Sequence, residues 1–205
     1  MMGSMEQSLF APVTVREDLK SLSLPVIAVD LGFSANGKSC GIARKDQEFA
    51  AFSENHRFAT TINKVHEFSK ERGAILILEA PLSVKFDKDG NPSPRGDFER
   101  NPKPRWWSFG AGAVMTLAAQ FFLRDLRERR RREGVTATIH LIEGFVVGSN
   151  SGDHKQVAED LINAYQDEIT SDWIKPDAGS QSVLGWFDEN LATSCPVVLK
   201  PRFDQ

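Results

Sequence analysis

The alternation of apolar and polar stretches divides the chain into short strands and three longer helical segments. Apolar or β-branched runs predict strands at Val26–Leu31, Ser39–Arg44, Glu48–Phe52, Ala74–Leu78 and Val135–Ile142. Apolar positions at helical spacing predict helices at Thr60–Arg72, Trp106–Arg132 and Asp153–Gln166. Three strands therefore come first, and helices then alternate with strands.

This order predicts an α/β fold with a mixed sheet, an antiparallel three-strand start and helices on both faces. Residues 25–167 form the predicted domain, with a proline-rich loop at 84–105 inserted after the fourth strand. Residues 1–24 are expected to be an N-terminal arm, and residues 168–205 a tail that packs on the domain.

Composition narrows the class of protein but not its function. Of the 205 residues, 40% are apolar and 26% are charged, and no apolar run has the length of a membrane span. Two cysteines give neither a disulfide framework nor a zinc motif, and no secretory signal is evident, so a cytoplasmic protein is expected. The net charge of −3 does not indicate general nucleic-acid binding, although Arg124–Glu133 is strongly basic.

Three predicted strands are each followed by, or end on, an acidic residue: Asp30, Glu79 and Glu143. A buried carboxylate is costly unless a cation or hydrogen-bond donors accompany it. In open α/β sheets, binding sites lie at the carboxyl ends of the strands. The pattern therefore predicts that these acids meet at one edge of the sheet.

The last predicted helix adds further acids. Asp160 falls within the inward stripe of Val157 and Leu161, whereas Glu159 falls on the opposite side, and Asp153 lies two turns earlier. Clustered carboxylates repel one another unless a cation sits among them, and oxygen ligands select Mg²⁺ or Mn²⁺. Two such ions would clamp a phosphodiester between an attacking water and a leaving oxygen.

Each acid also has a purely structural interpretation. Asp30 and Glu79 are of a type that forms turns after strands, and Glu143 is a possible strand cap. Asp153 suits the N-cap of the last helix, and Asp160 is a possible partner for a core arginine or tyrosine. Only the combination of these acids, in this order, favours a metal site.

Four sequence segments resemble the RNase H-like superfamily, specifically RuvC-type resolvases and a related branch of predicted nucleases. These segments are "VDLGFSANGKSCGIA", "ILILEAPLS", "IHLIEGF" and "DHKQVAEDLINAY", between Pro25 and Tyr165. The resemblance implies a metal-dependent nuclease that hydrolyses DNA or RNA. It implies that Asp30, Glu79 and Asp160 are metal ligands and that Glu143 or Asp153 assists; the register of Glu159 and Asp160 stays open. Resolvases of this type often act as homodimers, which is therefore a further expectation.

The proline-rich loop and the start of the next helix carry candidate nucleic-acid contacts: Arg95, Arg100, Lys103, Arg105 and Trp106. Cations there would border the acidic cluster, and an arginine beside an indole suits phosphate binding or base stacking. The alternatives are a solvated polar loop and a tryptophan that anchors the helix. His154, beside Asp153, is a candidate for activating water or an ordinary surface histidine.

Two other functions fit parts of the pattern. An actin- or Hsp70-like phosphotransferase also has an Asp-x-Gly turn after its first strand, but that fold needs two lobes and only one hairpin is evident. A non-catalytic nucleic-acid-binding protein of the same fold would cage its acids with basic residues. Binding of Mn²⁺ distinguishes the nuclease from the non-catalytic binding protein. Stabilisation by ATP identifies the phosphotransferase.

Overall fold

Ten strands and three α-helices make up the described part of the chain. The computed structural model describes residues 9–19, 21–32, 37–48, 50–100, 108, 110–146, 152–167, 169, 171–176, 183–185 and 195–202. The strands are β1 (Phe10–Pro12), β2 (Val26–Asp30), β3 (Cys40–Lys45), β4 (Phe52–His56), β5 (Ala74–Glu79), β6 (Ser83–Lys85), β7 (Ile139–Gly144), β8 (Ser171–Ile174), β9 (Val183–Gly185) and β10 (Val198–Pro201). The helices are α1 (Phe58–Ser69), α2 (Gly110–Arg132) and α3 (His154–Gln166).

Eight of these strands form one mixed sheet, as the order of elements predicted. The strands run β4-β3-β2-β5-β7-β10-β8, and β1 pairs with β7 beside this path. Strands β2, β5 and β7 are parallel, whereas β2, β3 and β4 form the predicted antiparallel start. Between β2 and β5 the chain passes through β3, β4 and α1. Because β2 and β5 are parallel, their carboxyl ends lie at the same edge of the sheet.

Helices cover both faces of the sheet and divide the core in two. On one face, α1 and α2 pack through residues such as Ile62 and Phe122 against Val29 and Leu78. On the other face, α3 packs through Leu161 against Ala28 and neighbouring residues. Alternate residues of β2 and β5 belong to different halves of the core, which explains why both strands are buried along their whole length.

Both ends of the chain join the main sheet. Strand β1, from the predicted arm, pairs in parallel with the first half of the free edge of β7. Strand β10, from the predicted tail, pairs with the second half of the same edge. The backbone N–H of Val197 donates to the carbonyl of Val13 at 2.7 Å, where the two strands meet. The arm therefore contributes a strand to the domain instead of merely preceding it.

Several predicted boundaries were wrong. The strand expected at Val135–Ile142 is β7, at Ile139–Gly144. The third strand is β4, whereas Glu48–Phe52 had been expected; β4 lies at the sheet edge and is only half-buried, so polar residues are tolerated there. The predicted loop 84–105 is not entirely irregular. It begins within β6, which pairs with β9, and continues through a bridge between Phe86 and Pro92 and a 3₁₀ turn at Asp97–Glu99.

In the described residues, no helix combines the length and the apolar character needed to cross a membrane.

Candidate functional site

Asp30 and Glu79 lie side by side at the carboxyl edge of the sheet. They are the last residues of β2 and β5, and they pair directly in the parallel register. Both side chains lie on the face of the sheet that α3 covers. Residues two apart in a strand share a face, and Ala28 and Ile77, two residues earlier, pack in the half of the core under α3. Asp30 is 6% exposed and Glu79 is 4% exposed. The structure thus brings together two of the three predicted metal ligands.

Two glycines flank this carboxylate pair in the adjacent strands. Gly41 pairs with Asp30, and a Cβ atom at Gly41 would lie 1.9 Å from the carbonyl oxygen of His154. Gly144 ends β7, and a Cβ atom there would lie 3.0 Å from the side chain of Leu161. The missing side chain at Gly41 therefore lets the first turn of α3 approach the carboxylates closely.

His154 is the side chain that α3 places against Asp30. Its Nδ1 lies 2.8 Å from Oδ2 of Asp30. The ring also packs on Gly32, where a Cβ atom would lie 2.7 Å from Nε2. The His154 side chain is 38% exposed, against 8% for that of Asp30. If the ring is neutral and Nδ1 donates to Asp30, the lone pair of Nε2 is left to accept a proton from another group.

Asp153 caps α3 and also binds the antiparallel part of the sheet. Its Oδ1 accepts hydrogen bonds from the backbone N–H of Lys155 at 3.1 Å and from Nδ2 of Asn55 at 2.7 Å. The hydrogen bond from Asn55, with that from Lys155, holds the pKa of Asp153 below its ordinary value. The predicted N-cap is confirmed, and the carboxylate lies at the same end of α3 as His154.

Asp160 lies away from the pair formed by Asp30 and Glu79. Six residues separate it from His154, which corresponds to about 9 Å along the helix. The carboxylate of Asp160 accepts a hydrogen bond from Gln156 at 3.0 Å, and Glu159 accepts one from Ser53 in β4. Because α3 runs back along the sheet, with Gln166 reaching Lys45, neither acid is at the carboxyl edge. The prediction that Asp160 joins Asp30 and Glu79 was wrong.

A separate cleft lies between the middle of α3 and strands β3 and β4. It has a volume of about 320 Å³, and Glu159, Asn163, Phe52 and Lys45 are among its lining residues. The lining includes neither Asp30 nor Glu79. The cleft is therefore distinct from the carboxylate pair.

Glu143 is the penultimate residue of β7, and it faces the opposite side of the sheet from Asp30 and Glu79. It pairs with Leu78, whose side chain lies in the core beneath α1 and α2. Its carboxylate accepts a hydrogen bond from the backbone N–H of Leu82 at 2.8 Å, three residues after Glu79. Its predicted assistance at the metal site is therefore corrected: Glu143 holds the turn that follows β5.

Arg95 is buried and is the ion-pair partner of Glu143, so its predicted contact with nucleic acid is also corrected. Its Nη2 lies 2.6 Å from Glu143 and 2.7 Å from Glu99, and all three side chains are essentially inaccessible. Burial opposes the charge of Arg95, but Glu143 and Glu99 outweigh this effect and raise its pKa. Burial raises the pKa of Glu99, although Arg95 acts in the opposite direction. The guanidinium is therefore buried and cannot contact a phosphate.

The other predicted nucleic-acid contacts have different outcomes. Arg100 is exposed, 3.9 Å from Asp97, and remains a candidate. Lys103, Arg105 and Trp106 lie outside the described residues.

The donors around the pair suit a hard cation without forming a complete ligand shell. Asp30 and Glu79 supply carboxylate oxygens at neighbouring positions. Oxygen donors of this kind are the ligands that Mg²⁺ and Mn²⁺ prefer. In the described segments, no group of three or more His, Cys, Asp and Glu side chains is arranged to hold a metal ion. A cation at this position would therefore need water or substrate oxygens as additional ligands.

Asn55 and Gly41 escaped prediction from the sequence. Asn55 lies in the edge strand β4, where it pairs with Gly41 and donates a hydrogen bond to Asp153. The only local sign was a glycine inside an otherwise apolar strand, which indicates close backbone approach.

No family model, curated protein or solved structure significantly matches the chain.

Proposed function

We propose that the chain is a metal-dependent nuclease that hydrolyses phosphodiester bonds in DNA or RNA. The observation that carries this proposal is the pair of buried carboxylates, Asp30 and Glu79, in register at the carboxyl edge of a parallel strand pair. Two adjacent carboxylates in a buried position favour binding of a divalent cation, because the ion relieves their mutual repulsion. Asp30 and Glu79 are the proposed ligands for Mg²⁺ or Mn²⁺.

The cation would supply Lewis-acid chemistry by neutralising charge on the scissile phosphate and on the leaving oxygen. Asp30 also holds His154 by its Nδ1 atom, which orients the ring and leaves Nε2 available. We assign His154 the role of general base that removes a proton from the attacking water. The two-ion version of this chemistry requires ligands beyond Asp30 and Glu79, and it stays a prediction.

The decisive experiment measures cleavage of single-stranded DNA, duplex DNA and RNA by the purified chain with Mg²⁺, Mn²⁺ or EDTA. We expect metal-dependent cleavage of at least one substrate, and loss of at least 100-fold in the Asp30→Asn variant with its circular-dichroism spectrum unchanged. Asp160→Asn is the matched control, because Asp160 lies two turns along α3, and it should retain activity. Full activity in Asp30→Asn would refute the assignment.

The same samples separate the remaining functions. Stabilisation by ATP without cleavage would favour a phosphotransferase. Nucleic-acid binding without Mn²⁺ binding or cleavage would favour a non-catalytic binding protein.

A further inference from the structure

Strand β4 presents a row of polar side chains to the face of the sheet that α3 covers. Ser53 donates a hydrogen bond to Glu159, and Asn55 donates one to Asp153 at 2.7 Å. Alternate residues of an extended chain share a face, and the backbone of Arg57 is still extended, with φ −70° and ψ 151°. The side chain of Arg57 therefore leaves β4 on the same face as Ser53 and Asn55.

The register of the antiparallel strands places Arg57 near the proposed metal ligands. Asn55 pairs with Gly41, and Gly41 pairs with Asp30. Arg57 lies two residues beyond Asn55, towards the carboxyl edge of the sheet. Adjacent strands are about 4.8 Å apart, so β4 lies about 10 Å from β2. Arg57 is therefore on the same face and at the same edge as the pair of Asp30 and Glu79, two strands away from Asp30.

The side chain of Arg57 packs on the connection between β2 and β3. A Cβ atom at Gly37 would lie 3.1 Å from Nε of Arg57, and Gly37 has a positive φ of 86°. Glycine therefore permits both the local backbone conformation and the approach of the arginine. The same connection begins at Gly32, against which the ring of His154 packs. The connection thus has His154 at its start and Arg57 near its end.

The charge of Arg57 is available to a ligand. Arg57 is exposed, and in the described part of the chain no carboxylate forms an ion pair with it, whereas Arg72 pairs with both Asp46 and Glu48. A guanidinium offers several N–H donors in a planar arrangement that matches the oxygens of a phosphate. An exposed arginine at the edge that holds the carboxylate pair therefore suits an anionic substrate.

We propose that Arg57 binds a backbone phosphate that flanks the scissile phosphate, so that the substrate strand runs from the pair of Asp30 and Glu79 towards β4. This inference rests on the proposed function, because a strand bound at the pair is what brings a further phosphate to Arg57. The separation of about 10 Å between β2 and β4 exceeds the size of a single phosphodiester group. The substrate class is therefore an oligonucleotide or a longer nucleic acid.

Fluorescence anisotropy of a labelled single-stranded oligonucleotide tests this contact without cleavage. All chains carry Asp30→Asn and the buffer contains EDTA, so that the DNA stays intact. Arg57→Gln removes one phosphate contact, so the slope of log K against the logarithm of the salt concentration should become shallower by about 0.7, with affinity about fivefold lower at about 0.1 M salt. Arg57→Lys keeps the charge and should retain the slope.

The matched control is Arg132→Gln, because Arg132 is an exposed arginine at the end of α2, which leads into the opposite, amino end of β7. This control should bind the oligonucleotide with the same affinity and slope as the chain that carries only Asp30→Asn. An unchanged slope in Arg57→Gln, an equal loss in Arg132→Gln, or no binding by any chain overturns the proposal.

Cleavage of modified strands locates the contact and separates this inference from the proposed function. One uncharged methylphosphonate linkage replaces each phosphate flanking the cleaved bond in turn. At the linkage that Arg57 contacts, the replacement should slow cleavage by the parent but not slow Arg57→Gln further, because that interaction is already lost. Equal further losses in both chains at every linkage overturn the proposal even when cleavage is normal. A chain that never cleaves but keeps the Arg57-dependent slope refutes the nuclease activity and supports the strand contact.

Discussion

Asp30 and Glu79 end two neighbouring parallel strands in the same register, and both belong to the sheet face that α3 covers. Strands in a sheet are about 4.8 Å apart, so the backbones at the two residues are close neighbours and both side chains leave the same face of the sheet. Burial of a carboxylate is costly unless hydrogen bonds or an opposite charge accompany it, and His154 provides one such partner for Asp30.

The first prediction concerns Mn²⁺ binding. Glu79→Gln removes one proposed ligand charge while preserving the shape of the side chain, so the affinity for Mn²⁺ should fall at least tenfold. Isothermal titration calorimetry measures this affinity directly. Asp160→Asn is the control, because it also removes one acidic side chain but at a position away from the pair. It should bind Mn²⁺ like the parent. Equal affinities in Glu79→Gln and the parent would contradict the proposed ligand.

The second prediction separates the chemical role of His154 from a positioning role. In His154→Asn, the amide nitrogen can replace Nδ1 in the hydrogen bond to Asp30, but no group replaces Nε2. If Nε2 accepts the proton from water, kcat should fall by about 10²-fold. An Asn variant with nearly full kcat would show that His154 only orients Asp30.

The third prediction concerns the close approach of α3 to β3. In Gly41→Ala, the new methyl group would meet the carbonyl oxygen of His154 at 1.9 Å, so the first turn of α3 must move. Overpacking of this kind typically costs about 1–3 kcal/mol, which urea unfolding would detect. Metal-dependent activity should also fall, because His154 moves with the turn. Gly152→Ala is the control, since a Cβ atom there meets nothing within 4 Å, and it should be nearly neutral.

The fourth prediction concerns the buried network of Arg95, Glu99 and Glu143. Arg95→Met leaves two buried carboxylates without their cation, and the free energy of unfolding should fall by about 3–5 kcal/mol. A triple variant with apolar residues at all three positions should recover much of this loss, because no buried charge remains. Urea unfolding of both variants provides the measurement. A single variant as stable as the parent would show that the network contributes little.

The fifth prediction concerns the pH dependence of the α3 N-terminus. The pKa of Asp153 is lower in the folded chain than in the unfolded chain, so its ionised form stabilises the fold above its ordinary pKa of about 4. This contribution is lost as the pH falls through the lower folded pKa. The Tm difference between the parent and Asp153→Asn should therefore close under acidic conditions.

A direct check of this last prediction is an NMR titration of the Asp153 carboxyl carbon. Removing the donor in Asn55→Ala should raise the Asp153 pKa towards its ordinary value, because the hydrogen bond from Asn55 is the largest cause of the shift. An unchanged pKa in that variant would show that the helix N-terminus alone lowers it.

The local pattern predicted much of the fold. Continuous apolar residues marked β5 as a central strand, and helical spacing followed by Gly73 located α1 within a few residues. These features depend on burial and backbone preference, which neighbouring residues determine. The edge strand β4 was misplaced because its burial is partial and its polar residues give no alternating signal.

The sequence alone was sufficient to predict that Asp30 and Glu79 lie together at the carboxyl edge of the sheet. An acid at the end of a buried strand is chemically unusual, and parallel strands share a carboxyl edge. Only the tertiary structure decided which neighbours these acids have. Strand alternation turned Glu143 to the opposite face, where Arg95 neutralises it, and the direction of α3 brought His154 instead of Asp160 to Asp30. Such outcomes depend on strand register and helix direction. Long-range packing determines both, so they cannot be predicted from neighbouring residues in the sequence.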